Sequence, residues 1–125
     1  MKRSIVADKS KAFALRIIRL YRSLTEGTVR EYVISKQLLR SRTSIGANIR
    51  EAHREQSRAD FVSKMNISLK EACESEYWIE LLYESGYIEE KEALSIQSEC
   101  KELIKLLTAI VKTTSTSPIQ PNCEL

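Results

Sequence analysis

The chain has 125 residues, of which 42% are hydrophobic and 30% are charged, with three glycines and two prolines. This length allows one domain with a hydrophobic core, and the scarcity of chain breakers favours long helices. The net charge is only +3, but residues 1–55 carry 13 Lys/Arg against 5 Asp/Glu and residues 56–125 carry 7 against 12. This asymmetry has two interpretations. Either the first half offers a basic surface that binds phosphates or an acidic partner, or the two halves attract each other within the fold.

The first two predicted helices follow from apolar residues at helical spacing, over about residues 8–25 and 29–55. The apolar stripe of the first helix is Phe13, Ile17, Leu20, Tyr21 and Leu24. The stripe of the second helix includes polar residues and is Ile34, Leu38, Ser41, Ile45, Asn48, Ile49 and Ala52. Gly46, inside the second helix, costs roughly 1 kcal/mol relative to alanine and is typical of a close approach by another helix.

The third and fourth helices are predicted over about residues 58–84 and 89–114. Ser57 and Asp60 form a start that resembles a capping box, and Gly86 favours a left-handed turn at the end of the third helix. The core stripe of the third helix is Phe61, Met65, Leu69, Ala72, Ile79 and Tyr83. That of the fourth is Ala93, Ile96, Cys100, Leu103, Leu107 and Ile110.

Short connections between these helices predict that neighbours are antiparallel. Residues 1–114 are therefore expected to form an all-α, up-down-up-down four-helix bundle, and residues 115–125 a disordered tail. The third helix also has an apolar face opposite its core, which a monomer would leave exposed. We therefore expect a homo-oligomer, with an interface formed by apolar residues outside the monomer core: Leu15, Ile18, Ile67, Trp78 and Leu81.

Three segments of the chain resemble the four-helix-bundle family of 23S rRNA-intervening-sequence proteins. They are RTSIGANIREA from Arg42, SRADF from Ser57 and EYWIELLYESGYI from Glu76. The resemblance, over roughly residues 10–110, implies a bacterial bundle subunit that assembles into a ring-like homopentamer. Relatives include the accessory protein of diversity-generating retroelements, a basic pentameric barrel that binds nucleic acid and a reverse transcriptase. The resemblance therefore implies RNA or DNA, and a reverse transcriptase or another protein, as partners.

Catalytic and metal-binding patterns are not found in the sequence. His53 is the only histidine, and helical spacing puts Glu51, His53 and Glu55 on different faces. No Cys/His spacing suits zinc, and no glycine-rich phosphate loop is present. We therefore expect no enzymatic activity, no metal and no cofactor.

The cysteines and the hydropathy of the chain indicate its compartment. Cys73, Cys100 and Cys123 are an odd number without a framework spacing, which predicts free thiols in a reducing compartment. No signal peptide is expected, and no segment approaches the roughly 20 apolar residues of a membrane span. These patterns predict a cytoplasmic protein without membrane contact.

Glu76 is the charged residue that helical spacing places within the core stripe of the third helix. A buried carboxylate needs a partner. The second helix offers Arg40 and Ser41 at a similar level, and the predicted buried polar network comprises Gln37, Arg42, Ser44, Asn48 and Glu76. Two interpretations remain open, a network that sets the register of the helices and a small-ligand pocket inside the bundle.

Basic residues on the first two helices are the candidate nucleic-acid contacts, because basic helix faces bind phosphate without reading bases. They are Lys9, Lys11, Arg16, Arg19, Arg22, Arg30, Lys36, Arg40, Arg50 and Arg54. The sequence thus favours a non-enzymatic homo-oligomeric scaffold that binds the RNA or DNA backbone. The alternatives are an adaptor that binds an acidic protein partner and a small-ligand-binding bundle.

Overall fold

The computed structural model describes residues 4–114, which form four helices and their connections. The helices are α1 (Ile5–Glu26), α2 (Val33–Ala52), α3 (Arg58–Glu84) and α4 (Glu90–Thr114). The prediction was correct for α3 and within one residue for α4. The α2 helix lies within its predicted range, but it begins four residues later and ends three residues earlier than expected. The predicted tail at residues 115–125 lies outside the described residues.

Serine side chains set the start of two helices. The Oγ of Ser57 accepts a hydrogen bond from the Asp60 N–H (3.1 Å), so the predicted start of α3 is confirmed. The Oγ of Ser4 does the same for the Ala7 N–H (3.2 Å), which extends α1 three residues beyond its predicted start. At the end of α3, Gly86 adopts a φ of 89°, the left-handed conformation predicted for it.

The start of α2 is set by Glu31. Its carboxylate accepts hydrogen bonds from the Ile34 and Ser35 N–H groups, both at 2.8 Å, and the residue is only 8% exposed. Its own N–H donates to the Leu24 carbonyl oxygen (2.9 Å), which holds the connection against the end of α1. A carboxylate at this point also stabilises the positive end of the helix dipole. The helix therefore begins after Glu31 rather than at Val29.

Ion pairs between helices show that α1 is antiparallel to α4 and that α2 is antiparallel to α3. Along α1 and α4, Lys9 pairs with Glu102 and Arg16 with Glu99. The numbers run in opposite directions along α2 and α3 as well, where Arg40 meets residues 71 and 74 while Lys64 meets residue 51. The contact between α2 and α3 is the most extensive and that between α1 and α4 the least. The predicted all-α bundle is confirmed, and buried apolar side chains of all four helices form one core.

The core face of α3 differs from the predicted stripe by one position near its C-terminal end. Leu82 is fully buried, whereas Tyr83 is 39% exposed. Ser68 and Ser75, which the sequence pattern left out, are also fully buried, and the Ser68 Oγ donates to the Ile45 carbonyl oxygen across the α2–α3 contact (2.9 Å). Small serines at core positions interrupt the apolar stripe, so the next large apolar residue was assigned to the wrong face.

Candidate nucleic-acid interface

The α1–α2 pair has a long surface without carboxylates. No Asp or Glu occurs in residues 9–25 or 33–50, whereas the same two segments contain nine Lys or Arg residues. The apolar stripes of α1 and α2 face the core, so these cations lie on the outer and flanking faces of the two helices. The structure decides which of them meet carboxylates from α3 and α4.

Three of the predicted nucleic-acid contacts form ion pairs within the protomer. Lys9 lies 2.9 Å from a carboxylate oxygen of Glu102 on α4. Arg16 lies 2.7 Å from Glu99 and also donates to the Ser95 hydroxyl. Both pairs belong to the α1–α4 contact. They make Lys9 and Arg16 less available to a ligand, because each cation already has a carboxylate partner. They add little stability, because a surface ion pair contributes only about 0–1 kcal/mol.

Arg40 is the third paired cation. Its guanidinium lies 3.8 Å from Glu71 and 3.5 Å from Glu74, both on α3. It also donates to the amide oxygen of Gln37 at 3.4 Å, which is a long hydrogen bond. Arg40 thus links α2 to α3 on the flank of α2 that faces away from α1.

The other seven predicted contacts are exposed. Arg30 donates to the Gly27 carbonyl oxygen. The hydrogen bond and charge of Lys64 lower the pKa of Glu51, and the charge of Arg54 adds to this effect. The other five of these seven form neither an ion pair nor a side-chain hydrogen bond within residues 4–114, and we call them the outer basic face: Lys11, Arg19, Arg22, Lys36 and Arg50. This face offers charge to an anion in solution without first breaking an internal pair.

The predicted buried polar network is wrong in its central member. Glu76 is half-exposed and lies 3.4 Å from Lys101 of α4, with its carbonyl oxygen accepting from the Gln97 side chain. It faces α4 because the core positions of α3 are Ala72, Ser75 and Ile79, which leaves residue 76 on the flank next to α4.

The remaining members of that network do not meet Glu76 either. Gln37 is exposed and contacts only Arg40 by a side-chain hydrogen bond within the described residues. The Asn48 side chain donates to the carbonyl oxygen and hydroxyl of Ser44, one turn earlier on the same helix. Arg42 is half-buried, and burial lowers the pKa of its guanidinium. The structure therefore has separate local contacts in place of the predicted cluster.

The predicted interface residues are only partly covered by the protomer. Leu15 is 47% and Ile67 40% exposed, while Ile18, Trp78 and Leu81 are half-buried. The indole N–H of Trp78 is buried without a hydrogen-bond partner in the described part of the chain. Four further apolar residues are exposed, although the sequence pattern does not predict them as interface residues: Ile5, Val29, Val33 and Leu94.

The cysteines and the histidine show no sign of a metal centre. Cys73 and Cys100 are free thiols, and burial raises the pKa of Cys100 to about 12. The Nδ1 atom of His53 lies 2.8 Å from the Ile49 carbonyl oxygen, and its ring contacts Phe61 edge-on. Among residues 4–114, no three metal-ligating side chains converge, and no helix is long and apolar enough to cross a membrane.

Comparison with known proteins places this bundle in a family. The model of the family described as 23S rRNA-intervening sequence protein matches residues 2–109. The chain is 55% identical, with a TM-score of 0.83, to a protein with unknown function from the S23 ribosomal protein family of Bacteroides thetaiotaomicron VPI-5482, over 86% of this chain and 99% of that one. None of the curated proteins compared with the chain matches it. The family match spans almost all of the four helices, and the chain therefore belongs to the 23S rRNA-intervening sequence proteins.

Proposed function

We propose that the protein is a non-enzymatic, homo-oligomeric scaffold that binds the RNA or DNA backbone through the outer basic face. The observation that carries this proposal is the absence of Asp and Glu from residues 9–25 and 33–50, where the five cations of the outer basic face and Arg42 have no ion pair in the described structure. A protein surface that only needs solubility carries both signs of charge interspersed. A surface of one sign attracts a polyanion and raises its local concentration.

The chemistry of this face is phosphate binding without base recognition. Arginine and lysine contacts to phosphates release counterions, so affinity falls with salt, with a logarithmic slope of about 0.9 for each neutralised phosphate of duplex DNA. No aromatic side chain alternates with the cations of the outer basic face, which disfavours stacking on single-stranded bases. We therefore expect steep salt dependence and little sequence preference.

The same proposal includes an oligomer, and the pentamer is the state that the family resemblance implies. Leu15 shares the outer face of α1 with Arg19 and Arg22, so an interface on that face would bury unpaired guanidinium groups at considerable cost. The α3 surface formed by Ile67, Trp78 and Leu81 contains none of the cations of the outer basic face. We place the subunit interface there, and light scattering at micromolar concentration tests it, with a 14.3 kDa monomer as the contradicting result.

Repetition of the outer basic face around an oligomer increases binding to a long polyanion. Linked sites act at high effective concentration, so avidity exceeds the affinity of a single face by roughly 10²–10⁴-fold where the geometry allows simultaneous contact. The free thiols Cys73 and Cys100 are compatible with the reducing cytoplasm in which we place the protein.

Fluorescence anisotropy with labelled RNA and DNA duplexes at several salt concentrations tests the nucleic-acid function. We expect the double variant Arg19→Glu, Arg22→Glu to lose binding, because it reverses two cations that have no internal carboxylate partner among residues 4–114. Lys91→Glu with Lys105→Glu is the matched control, because it makes the same change in net charge on α4, away from the outer basic face and from the proposed α3 interface. Circular dichroism and light scattering establish that both variants keep the fold and the oligomer.

Two results of this experiment would contradict the proposal. The first is the absence of wild-type binding at micromolar protein and low salt, which would favour the adaptor for an acidic protein. The second is an equal loss of binding in the control variant, which would show that net charge, rather than the outer basic face, attracts the nucleic acid.

A further inference from the structure

Arg42 differs from the other cations of the protein in its burial and in its lack of a partner. Among residues 4–114, three Lys or Arg side chains are half-buried: Arg16, Arg42 and Lys64. Arg16 pairs with Glu99 at 2.7 Å and Lys64 with Glu51 at 2.8 Å. Arg42 has no ion pair in this part of the chain, and its Nε–H group is buried without a hydrogen-bond partner.

The place of Arg42 on its helix makes this arrangement more unusual. It lies seven residues from Ser35 and from Ile49, which are 1% and 0% exposed. A heptad position that is otherwise buried thus carries a permanently charged side chain. Burial lowers its pKa, and no carboxylate of residues 4–114 offsets that effect. If position 42 served only packing, methionine would fill it as well as arginine, and it would avoid the free-energy cost of removing a charge from water.

Gly46, one turn after Arg42, provides a second and independent observation. A Cβ atom added at Gly46 would meet no atom within 4 Å, so no neighbour in the protomer requires a glycine there. The prediction that another helix of the bundle approaches closely at Gly46 was therefore wrong. Glycine also destabilises a helix interior relative to alanine. Side chains on a helix lean towards its N-terminus, so a longer residue at position 46 would lie over the turn that contains Arg42.

Both residues lie on the flank of α2 that faces α1. Arg40 marks the opposite flank, because it contacts α3. On α1, Lys9 and Arg16 lie on the side that faces α4. Successive side chains of a helix are rotated by about 100°, which puts Ala14 on the side of α1 that faces α2, with Lys11 next to it. The antiparallel pairing brings these two residues to about the level of Arg42 and Gly46. No atom lies within 4 Å of a Cβ placed at Gly46, so the space on this flank is open, and Lys11 adds positive charge to the surface of α1.

We propose that Arg42, with the open space at Gly46, forms a defined site for one phosphate group of the bound nucleic acid. This inference rests on the proposed function and deepens it, because it distinguishes one positioned contact from the diffuse attraction of the outer basic face. A guanidinium binds phosphate oxygens through two parallel N–H groups, and lysine at the same position does not reproduce that geometry. The glycine leaves room for the phosphate beside the guanidinium.

Four variants test the phosphate site. Arg42→Met removes the charge and keeps the volume, Arg42→Lys keeps the charge without the paired donors, and Gly46→Met fills the space beside Arg42. Ala47→Met adds the same side chain one position later, on the exposed surface of α2, and is the matched control. Each is measured for duplex affinity at fixed salt, for oligomeric state, and for thermal unfolding in sodium phosphate against sodium chloride at equal ionic strength.

The site predicts a distinct pattern across these measurements. Arg42→Met should unfold at a higher temperature than wild type in chloride, because an unpaired charge leaves the interior, and should lose the stabilisation that wild type gains from phosphate. Duplex affinity should fall about tenfold or more in Arg42→Met, Arg42→Lys and Gly46→Met, in the range expected for losing one well-placed charged contact. Ala47→Met should bind as wild type does.

Three outcomes would overturn the site. A lower unfolding temperature of Arg42→Met in chloride would show that Arg42 is structural. Wild-type duplex affinity in Arg42→Met and Gly46→Met, with binding still lost in Arg19→Glu, Arg22→Glu, would remove the site and leave the proposed function standing. Dissociation of the oligomer by Gly46→Met alone would assign the open space to a second copy of the chain.

The phosphate measurement separates this inference from the proposed function. If wild type binds no nucleic acid, the proposed function fails, and the inorganic phosphate series still decides the site. A phosphate-dependent rise in unfolding temperature that Arg42→Met abolishes supports an anion site at Arg42. The absence of such a rise in wild type overturns it.

Discussion

The carboxylate of Glu31 gives the sharpest test of how this fold is stabilised. In Glu31→Ala, the Ile34 and Ser35 N–H groups lose their 2.8 Å acceptors, and Ser35 is almost fully buried. A hydrogen bond to a charged group contributes roughly 1.5–3 kcal/mol, and loss of a helix cap costs about 0.5–2 kcal/mol. Because the variant also removes a desolvated charge, the two bonds do not add in full, and we expect a net destabilisation of about 2–4 kcal/mol.

Urea unfolding followed by circular dichroism measures this loss. With an m-value of roughly 2 kcal/mol/M, the midpoint should fall by about 1–2 M urea at constant protein concentration. Glu31→Gln keeps one acceptor oxygen and should lose about half as much, whereas Glu26→Ala, an exposed change at the end of α1, should lose less than about 0.5 kcal/mol. A Glu31→Ala midpoint equal to that of Glu26→Ala would refute the capping role.

Three further predictions test the packing and the thiols. Leu82→Ala should cost about 2–5 kcal/mol in urea unfolding, and Tyr83→Ala less than about 1 kcal/mol, because only Leu82 is fully buried; the reverse order would support the original stripe. Gly46→Ala should raise the free energy of unfolding by up to about 1 kcal/mol, since its Cβ meets no neighbour, and a loss would reveal a contact that the protomer lacks. In a Cys123→Ser background, iodoacetamide at pH 8 should label Cys73 before Cys100, because burial raises the pKa of Cys100 to about 12 and leaves its thiol protonated. Mass spectrometry measures the order of labelling. Equal labelling rates of the two thiols would contradict the burial of Cys100.

Local chemistry explains why the third helix was predicted closely and the second was not. Ser57 and Asp60 are only three residues apart, so the cap can be recognised from the sequence, and it forms as expected. At α2 the capping group is the side chain of Glu31, which ordinary propensities do not assign to a cap. That carboxylate is effective because the chain turns back against the end of α1, where the Glu31 N–H meets the Leu24 carbonyl oxygen. The helix boundary thus depends on a contact between two elements.

Buried serines account for the errors in the core. Ser68 is fully buried on α3 because its hydroxyl finds the Ile45 carbonyl oxygen across the α2–α3 contact. A hydropathy pattern treats such a residue as exposed, since its burial depends on a partner from another helix. The resulting shift of one position placed Tyr83 in the core and Glu76 beside it, and the structure puts both on the surface of the bundle.

The sequence by itself determined the helical class, the four elements, most of the core and the segregation of positive charge into the first half. These features follow from periodicity and composition, which are local properties of the chain. Only the tertiary structure decided which cations remain available, because an ion pair depends on which helix faces which. Arg16 meets Glu99 and Arg40 meets Glu71, while Arg42 and Arg19 meet no carboxylate among residues 4–114. Charge pairing across the bundle is a long-range property, and it separates structural cations from those offered to a ligand.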